Sequence, residues 1–493
     1  MVTFGQLLLV ILFLFGAFYI YCKRKFNYWK DKGVPHRPPS VPFGNLLDLI
    51  FNDDSVSKFF AKLYNEFESP YIGFYALTKP FLLVKDPNLI KIILIKEFNI
   101  FQNRCFFFNK KIDPVMSNSL LGIKGPDWRI LRKKISPAFS SGKMKIMEPL
   151  MDECGLNMKE YLEKNLDKSL EMKEVAAKYT TNVIMSCAFG LNSNCFEKDA
   201  ILRDYGKTIF PTTPIGLFKS LTYLFAPIFV RIFKHTFIDR TATVFFRNVF
   251  EDTLRQRQLN NVNRGDLIDT LNKIKNEETS DDTFKFDDDV VFAQAIIFFG
   301  AGQEAASSTI AYTLHELALN FEIQDKLRLE VFREIEKYNG VTYEAIQNMK
   351  YLDMIISETL RKYPLTPLIT RESIESYKLP TGLLLDKGTS ILISQMAMHH
   401  NPEYFPNPKK YDPERFSDEN KGKIPNYVYL PFGDGPRNCI GERFGLLSSK
   451  LGVVHVVKNF KIETNSNTCE PVIYERTPLL QAKYGINLTC RKL

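Results

Sequence analysis

The loop at residues 432–441 constrains the fold and chemistry of this chain more than any other segment. It has the sequence FGDGPRNCIG and places one cysteine, Cys439, among glycines and a proline. Glycine lets a backbone fold closely against a flat ligand and adopt φ angles that other residues avoid. A helix is predicted to follow at 442–450, and the N–H groups at its start would stabilise a thiolate. The pattern indicates a cradle that presents one sulfur to a large ligand; the alternative is an ordinary buried cysteine in a glycine turn.

This loop resembles the haem-binding loop of the cytochrome P-450 family, Phe-x-x-Gly-x-Arg-x-Cys-x-Gly. All five fixed residues are present: Phe432, Gly435, Arg437, Cys439 and Gly441. The resemblance implies a haem b cofactor whose iron takes the Cys439 thiolate as its axial ligand; in that family the thiolate donates electron density that favours O–O cleavage. It also implies that Arg437 pairs with a haem propionate and that Phe432 packs beside the sulfur.

The amino-terminal residues 1–22 are predicted to form a transmembrane signal-anchor helix. Residues 2–22 hold only two strongly polar side chains, Thr3 and Gln6, and a spanning helix needs about 20 apolar residues. The next three residues, Lys-Arg-Lys, would keep the rest of the chain on the cytosolic side of the membrane. A basic, proline-rich linker is predicted at 23–45 and one catalytic domain at 46–493, and a buried core helix at the terminus is the alternative to the anchor.

The apolar periodicity of the remaining chain predicts a mainly α fold with minor β, the class of the cytochrome P-450 fold. The predicted helices are 127–139, 143–166, 287–319, 323–338 and 343–362, and the predicted strands are 71–75, 81–84 and 390–394. Residues 264–286 are polar and are predicted to form a surface connection, and no break divides the chain into two cores. The eight cysteines lack CxxC spacing, which argues against a disulfide framework or a zinc site.

Four further residues are assigned to the haem by the resemblance. Trp128 and Arg132 lie four positions apart, hence on one helical face, and match a Trp-x-x-x-Arg motif whose side chains reach a propionate. Arg104 and Arg371 lie in segments that carry further propionate-binding arginines in many relatives. Guanidinium groups bind carboxylates through two parallel hydrogen bonds, so several arginines suit two propionates. Ordinary packing and a surface arginine are the alternative for the Trp-x-x-x-Arg pair.

A charged triad is predicted to have a structural role. Glu358 and Arg361 match the family's Glu-x-x-Arg motif, and Arg415 lies in a Pro-Glu-Arg-Phe segment that the family joins to this pair. The three-residue spacing places the first two charges on one helical face, where such a pair is ordinarily a solvated surface pair. The resemblance implies instead that the triad fixes the side of the fold on which the cysteine loop sits.

The segment 298–304, FFGAGQE, resembles the family's oxygen-activating helix, Ala/Gly-Gly-x-Glu/Asp-Thr. Glu304 fills the acidic position, but Ala305 replaces the threonine whose hydroxyl holds water and relays protons. The small residues here predict a local bulge of the helix, and the nearest other hydroxyl residues, 307–309, lie one turn further along it. Three interpretations follow: a substrate hydroxyl or ordered water substitutes, coupling is poor, or the reaction needs no dioxygen activation. The first two are favoured.

An apolar and aromatic substrate pocket is implied by further matches to the family, and ordinary core packing is the alternative. The pocket residues are Phe106, Phe107, Phe298, Leu368, Ile369 and Leu479. Residues 217–237 are rich in Phe and Leu but interrupted by basic residues, which predicts a segment that roofs the core, dips into the membrane interface, or does both.

The net charge of +9 favours an acidic protein partner. Basic residues flank the elements expected behind Cys439: Lys133, Lys134, Lys421, Lys423 and Arg443. In microsomal relatives the partner is NADPH-cytochrome P-450 reductase, and cytochrome b5 is an additional candidate. The chain has no P-loop or GxGxxG element, so NADPH would be used indirectly, and no basic-aromatic module for nucleic acid is present.

Segments 136–145, 179–190 and 351–364 resemble the insect family-6 branch of the microsomal enzymes. The resemblance implies a haem-thiolate monooxygenase of the endoplasmic reticulum membrane that oxidises lipophilic xenobiotics, such as plant toxins or insecticides, or endogenous lipids. Two alternatives stay open: a haem-thiolate isomerase or dehydratase acting on hydroperoxides, and a non-catalytic haem- or ligand-binding protein. Glu304 and the basic residues behind Cys439 favour the monooxygenase.

Overall fold

The computed structural model describes residues 3–47, 49, 55–197, 200–210, 213–276 and 284–493, and these residues fold mainly into α-helices. In chain order the helices are α1 (Phe4–Lys25), α2 (Tyr28–Asp31), α3 (Val56–Asn65), α4 (Pro87–Lys91), α5 (Pro114–Asn118), α6 (Gly125–Ile135), α7 (Ser141–Glu163), α8 (Met172–Ile184), α9 (Ile201–Lys207), α10 (Pro214–Phe225), α11 (Pro227–Phe233), α12 (Arg240–Asn260), α13 (Leu267–Asn276), α14 (Asp288–Leu319), α15 (Phe321–Lys337), α16 (Tyr343–Asn348), α17 (Lys350–Lys362), α18 (Gln395–His399) and α19 (Glu442–Asn459). Segments Ile92–Lys96 and Met185–Phe189 are π-helical, and Ser136–Phe139, Pro413–Phe416 and Lys421–Lys423 are 3₁₀-helical.

The strands are short and form small sheets, so the predicted mainly α class with minor β is confirmed. They are β1 (Tyr71–Ala76), β2 (Lys79–Val84), β3 (Ser169–Glu171), β4 (Leu368–Glu372), β5 (Tyr377–Lys378), β6 (Leu384–Leu385), β7 (Ser390–Ser394), β8 (Phe460–Thr464) and β9 (Asn487–Lys492). The largest sheet has the order β1-β2-β7-β4, in which only the β2–β7 pair is parallel, with Phe81 opposite Ser390. A second sheet has the order β3-β9-β8, and β5 pairs with β6.

The buried apolar side chains form two clusters rather than the single core that was predicted. One cluster lies among the helices, and the other surrounds the four-stranded sheet. Members of both clusters, such as Ile184 from the first and Ile369 from the second, line the same internal cavity. The cavity is therefore bordered by both clusters.

Helix α14 is the long central helix of the fold. Asp287 caps its start by accepting a hydrogen bond from the Val290 N–H at 2.9 Å. The helix is apolar around most of its circumference because it packs against α5, α8, α17 and α19. Asp288–Leu319 is one of two stretches in the described part of the chain that are long and apolar enough to cross a membrane, but 78% of its apolar window is buried. Its apolar character therefore reflects the protein core.

The other such stretch is Phe4–Asp31, and none of its apolar window is buried. Thr3 and Gln6 cap the start of α1 by reciprocal side-chain to backbone hydrogen bonds. The last turn of α1 carries three basic side chains, which suit the negative end of the helix dipole. An exposed apolar helix with a basic end indicates a membrane anchor.

The chain packs against the sheet directly after α1. Trp29 is fully buried, its backbone N–H donates to the Tyr75 hydroxyl at 2.9 Å, and its indole N–H donates to the Phe74 carbonyl oxygen at 3.2 Å. The Tyr75 hydroxyl donates to the Phe26 carbonyl oxygen at 2.8 Å. The beginning of the segment predicted as a linker is thus held on β1. The predicted domain boundaries themselves stay predictions.

The helix predicted at 343–362 is divided in two at Met349, which has φ −78° and ψ 81°. The Glu330 carboxylate on α15 accepts hydrogen bonds from the backbone N–H groups of Tyr351 and Leu352 at 2.9 Å each. These N–H groups lie in the first turn of α17, where no carbonyl of the same helix can satisfy them. A long-range cap therefore restarts the helix at a point that local periodicity does not mark.

The surface connection predicted at 264–286 is wrong for its first half, because residues 267–276 form helix α13. Its apolar residues at helical spacing are buried: Leu267, Ile268, Leu271 and Ile274. The charged residues between them concealed this pattern in the sequence. Residues 277–283 lie outside the described residues.

Candidate functional site

An internal cavity of about 500 Å³ contains the predicted site residues from distant parts of the chain. Cys439 enters it from the glycine loop, Glu304 and Ala305 from α14, and Leu368 and Ile369 from β4. The cavity walls are mainly apolar. Such a cavity with a few polar groups is the usual form of a cofactor or small-molecule site.

The glycine loop holds Cys439 at the cavity surface. The Cys439 N–H donates to the Phe432 carbonyl oxygen at 2.8 Å, which closes the loop. Gly435 has φ +73°, and a Cβ at this position would collide with the carbonyl oxygen of Leu94. Burial raises the pKa of the Cys439 thiol, whereas the Gly441 N–H and two nearby arginines act in the opposite direction. The sulfur is thus placed at a cavity wall by backbone geometry that requires glycine.

Three arginines face the same cavity, and two of them have incomplete hydrogen bonding among the described residues. The Arg437 Nη2 donates to the Ile123 carbonyl oxygen at 2.8 Å, but its Nε and Nη1, like the Arg371 Nε, have no partner among the residues that the structure describes. Burial, together with the neighbouring guanidiniums, lowers the pKa of Arg437 to about 8, that of Arg371 to about 9 and that of Arg104 to about 10. Within the described part of the chain, no carboxylate forms an ion pair with any of the three. The cluster therefore has the charge and free donors to bind an anionic group.

Trp128 and Arg132, predicted to share one face, both line the cavity but have different contacts. The guanidinium of Arg437 lies over the Trp128 ring, 4.3 Å from its centroid. Arg132 donates through Nη1 to the Asn438 carbonyl oxygen at 3.0 Å and through Nη2 to the Asn438 Oδ1 at 2.9 Å. Arg132 therefore holds the residue next to Cys439, a contact that the sequence did not predict.

Glu358, Arg361 and Arg415 come together away from the cavity. The Arg361 Nε and Nη2 donate to the two oxygens of Glu358 at 2.7 and 2.8 Å, and Arg361 and Glu358 are both fully buried. The Arg415 Nε lies 3.5 Å from the Glu358 Oε1. Burial raises the pKa of Glu358, although both arginines act against this. Arg361 also donates to the His399 carbonyl oxygen at 2.8 Å, so the triad joins α17 to the following loops.

The cavity wall formed by α14 is continuous α-helix, so the bulge predicted around Ala301 and Gly302 is absent. A Cβ at Gly302 would lie only 3.2 Å from the Ile184 Cδ1 of α8, so the glycine allows the two helices to approach closely. Of the three hydroxyl residues at 307–309, Thr309 alone lines the cavity. Its Oγ1 donates to the Ala305 carbonyl oxygen at 3.0 Å.

Comparison with known proteins agrees with this arrangement. A sequence model of the family described as Cytochrome P450 matches residues 35–490. The chain belongs to the cytochrome P450 family. It is similar to cytochrome P450 6k1 of Blattella germanica, with 38% identity over 98% of this chain and 96% of that protein. It is also similar to cytochrome P450 6j1 of the same organism (34% identity, 100% and 99% covered) and to probable cytochrome P450 6a13 of Drosophila melanogaster (36% identity, 98% and 98% covered).

The chain is therefore a P450 monooxygenase of the family-6 group with a haem-thiolate cofactor. The residues at the cavity fit this cofactor. Haem carries two propionates, and the cavity arginines, which have no ion-pair partner in the described part of the chain, supply the complementary positive charge. The thiol of Cys439 faces the same space. The fit between the cavity and haem therefore depends on the hydrogen-bond donors and positive charge of the arginines, in addition to the sequence motif.

We expect Arg437→Leu to weaken haem binding roughly tenfold to a hundredfold, the value of a charge-assisted hydrogen bond to a carboxylate. The haem-free protein should become more stable at the same time, because one of several mutually repelling buried cations is removed. The haem-to-protein ratio during dialysis and the thermal midpoint of both forms would measure these effects. The control is Arg129→Leu, which removes an arginine that binds Asn99 at the surface. Equal haem retention in the two variants would contradict the assignment.

The structure places most of the predicted substrate-pocket residues at the P450 cavity. Five of the six line it: Phe106, Phe298, Leu368, Ile369 and Leu479. Phe107 does not; its N–H donates to the Tyr223 carbonyl oxygen at 2.8 Å, and its ring lies 4.8 Å from the Arg231 guanidinium. Sequence reasoning also missed two residues that contact Glu304, namely Lys173 and Gln481, because neither is near it in the chain.

The segment 217–237 forms most of α10 and α11 and has two apolar sides. Leu221, Leu224 and Phe225 line the cavity. Ile232 and Phe233 are each 60% exposed. The same segment therefore roofs the cavity and presents apolar side chains outward.

Proposed function

We propose that this P450 oxidises lipophilic molecules, such as plant toxins, insecticides or endogenous lipids, with O₂ and with electrons that NADPH supplies through a reductase. The main support for the proposal is that Cys439 and Glu304 line the same cavity, whose walls are mainly apolar. Apolar walls favour apolar substrates by excluding water. The names of the similar proteins state no substrate, so the class of substrate rests on the cavity alone.

The roles of the individual residues follow from their positions. Cys439 provides the thiolate ligand, and Arg104, Arg371 and Arg437 hold the haem propionates. The bound haem would supply the oxygen-activating chemistry. Glu304 carries protons into the cavity. Phe106, Phe298 and Leu479 hold the substrate and keep bulk water out.

The proposed location is the cytosolic face of the endoplasmic reticulum membrane. The exposed apolar helix α1 anchors the protein, and the outward side chains Ile232 and Phe233 rest in the membrane interface, so that the roof of the cavity faces the lipid. Lys133 and Arg443 are exposed on elements that flank the cysteine loop, where an acidic reductase would dock. Reduction rates should therefore fall as ionic strength rises.

The proposal is tested by measuring NADPH consumption, peroxide release and product for a panel of lipophilic substrates with the membrane protein and its reductase. Ala305→Thr is the informative variant, because it restores a hydroxyl beside Glu304 on the cavity wall. We expect peroxide release per NADPH to fall roughly threefold to tenfold and product to rise, as one positioned proton donor or relay contributes at least that much. The reduced carbon monoxide spectrum would confirm that both proteins hold haem in the same way.

The Ala305 position also supports a second candidate function, isomerisation or dehydration of hydroperoxides, which needs no protonation of bound dioxygen. Product from organic hydroperoxides but none from NADPH, in both wild type and Ala305→Thr, would establish that function and reject the monooxygenation. Spectral shifts with ligands but no product under either condition would indicate a binding protein.

A further inference from the structure

The carboxylate of Glu304 is held from both sides by residues that no motif includes. The Lys173 Nζ lies 3.0 Å from the Glu304 Oε2, and the Gln481 Nε2 donates to the Glu304 Oε1 at 3.1 Å. The Lys173 Nζ also donates to the Ser307 Oγ at 2.6 Å. An ion pair and an amide together leave the carboxylate little rotational freedom.

Packing between α8 and α14 brings Lys173 to this point. Glu171 caps α8 by accepting the N–H of Lys173 at 3.0 Å, which fixes the first turn. The Thr180 Oγ1 donates to the Gln303 carbonyl oxygen at 2.9 Å, which ties the middle of α8 to α14. The contact between Lys173 and Glu304 is therefore determined by the packing of two helices.

The pair lies between the cavity and solvent. Glu304 lines the cavity, yet its side chain is only 11% exposed, whereas 23% of the Lys173 side chain is exposed. Lys173 itself does not line the cavity. A proton that enters from solvent near Lys173 would pass to the Glu304 carboxylate and from there into the cavity. No other reactant is needed, because the carboxylate gains a proton on one side and loses it on the other.

We propose that Lys173 is a positioning residue for proton delivery: its ion pair holds the Glu304 carboxylate in place, and it lies at the solvent end of the path between α8 and α14. Gln481 fixes the other carboxylate oxygen. This inference rests on the proposed monooxygenase function, in which Glu304 supplies protons. With Ala305 in place of a hydroxyl residue, the orientation of Glu304 has a larger part in proton supply.

Turnover of Lys173→Met tests the proposal, with Lys173→Arg as the conservative variant. We expect kcat to fall roughly tenfold, within the general acid–base range, with KM unchanged. Peroxide release per NADPH and the solvent deuterium isotope effect on kcat should rise, and Lys173→Arg should restore most of each. Lys178→Met is the matched control, since Lys178 lies on the same helix but over the Tyr161 ring, 5.2 Å from its centroid. Equal coupling and isotope effects in Lys173→Met and Lys178→Met would overturn the proposal.

A second measurement does not depend on turnover. The measurement is the rate of lysine acetylation, followed by peptide mass spectrometry. Acetylation of Lys173 should be roughly two- to fivefold faster in Glu304→Gln than in wild type, because a partly exposed ion pair gives about that much protection. The rate at Lys178 should not change. Unchanged labelling of Lys173 would overturn the contact, even if Lys173→Met failed to fold. If the wild type makes no product from NADPH, the proposed monooxygenase function is rejected, and with it the role of Lys173 in proton delivery. Failure of the proposed function is therefore distinguishable from failure of the contact between Lys173 and Glu304.

Discussion

Arg361→Met is expected to lower the free energy of unfolding by about 3–5 kcal/mol, the cost of leaving one member of a buried ion pair without its partner. Arg361 and Glu358 are both fully buried, and Arg361 also donates to the carbonyl oxygens of His399 and Pro408. Methionine fills much of the space of the apolar stem but has no donor, so all of these acceptors lose a partner. Chemical denaturation followed by circular dichroism would measure the change.

The control for this variant is Arg255→Met. Arg255 and Asp252 form an ion pair with the same i, i+3 spacing, but their side chains are 67% and 65% exposed. We expect this change to alter stability by less than about 0.5 kcal/mol, because exposed pairs contribute little. Similar losses in the two variants would show that burial of the Glu358–Arg361 pair is not the cause.

Cys439→Ser is expected to lower NADPH-driven product formation by about three orders of magnitude, equivalent to roughly 4 kcal/mol of activation free energy. Serine has nearly the same size and preserves the backbone hydrogen bond to Phe432, so the loop should keep its shape. A hydroxyl does not donate electron density as a thiolate does, and that donation favours O–O cleavage. Product turnover per bound haem and the reduced carbon monoxide spectrum are the measurements.

Cys469→Ser is the matched control, because Cys469 is only partly buried and does not line the cavity. Its turnover and spectrum should equal those of the wild type. If Cys439→Ser instead kept the thiolate-type spectrum, a different cysteine would have to be the ligand. The proposed role of Cys439 would then be rejected.

Features that depend only on residues close together in the chain could be predicted from the sequence. The cysteine loop is one such feature, with φ +70° at Gly433 and φ +73° at Gly435. Because glycine adopts positive φ angles readily, its presence at these positions indicates a loop of this kind. The long helices are another, since periodic apolar residues define α7, α14 and α15 within a few positions. The pairing of Glu358 with Arg361 also follows from helical spacing, although its complete burial does not.

Features that depend on distant residues could not be predicted in this way. The break between α16 and α17 requires Glu330, and the restraint of Glu304 requires Lys173, 131 positions earlier in the chain. The assignment of Arg132 to a propionate stays a prediction, and its donation to Asn438, which packing brings within 3.0 Å, was not predicted. Neither composition nor periodicity contains information about these contacts.

The sequence by itself indicated Cys439 as the candidate ligand, the helical class and the missing hydroxyl at Ala305, because each is a property of a short segment. Only the tertiary structure decided that the arginines face one cavity with no carboxylate partner among the described residues, that Thr309 lines this cavity, and that Lys173 contacts Glu304. The physical reason is that charge balance and hydrogen bonding are set by which surfaces pack together. Side-chain packing across two helices, rather than local propensity, places a lysine against the carboxylate.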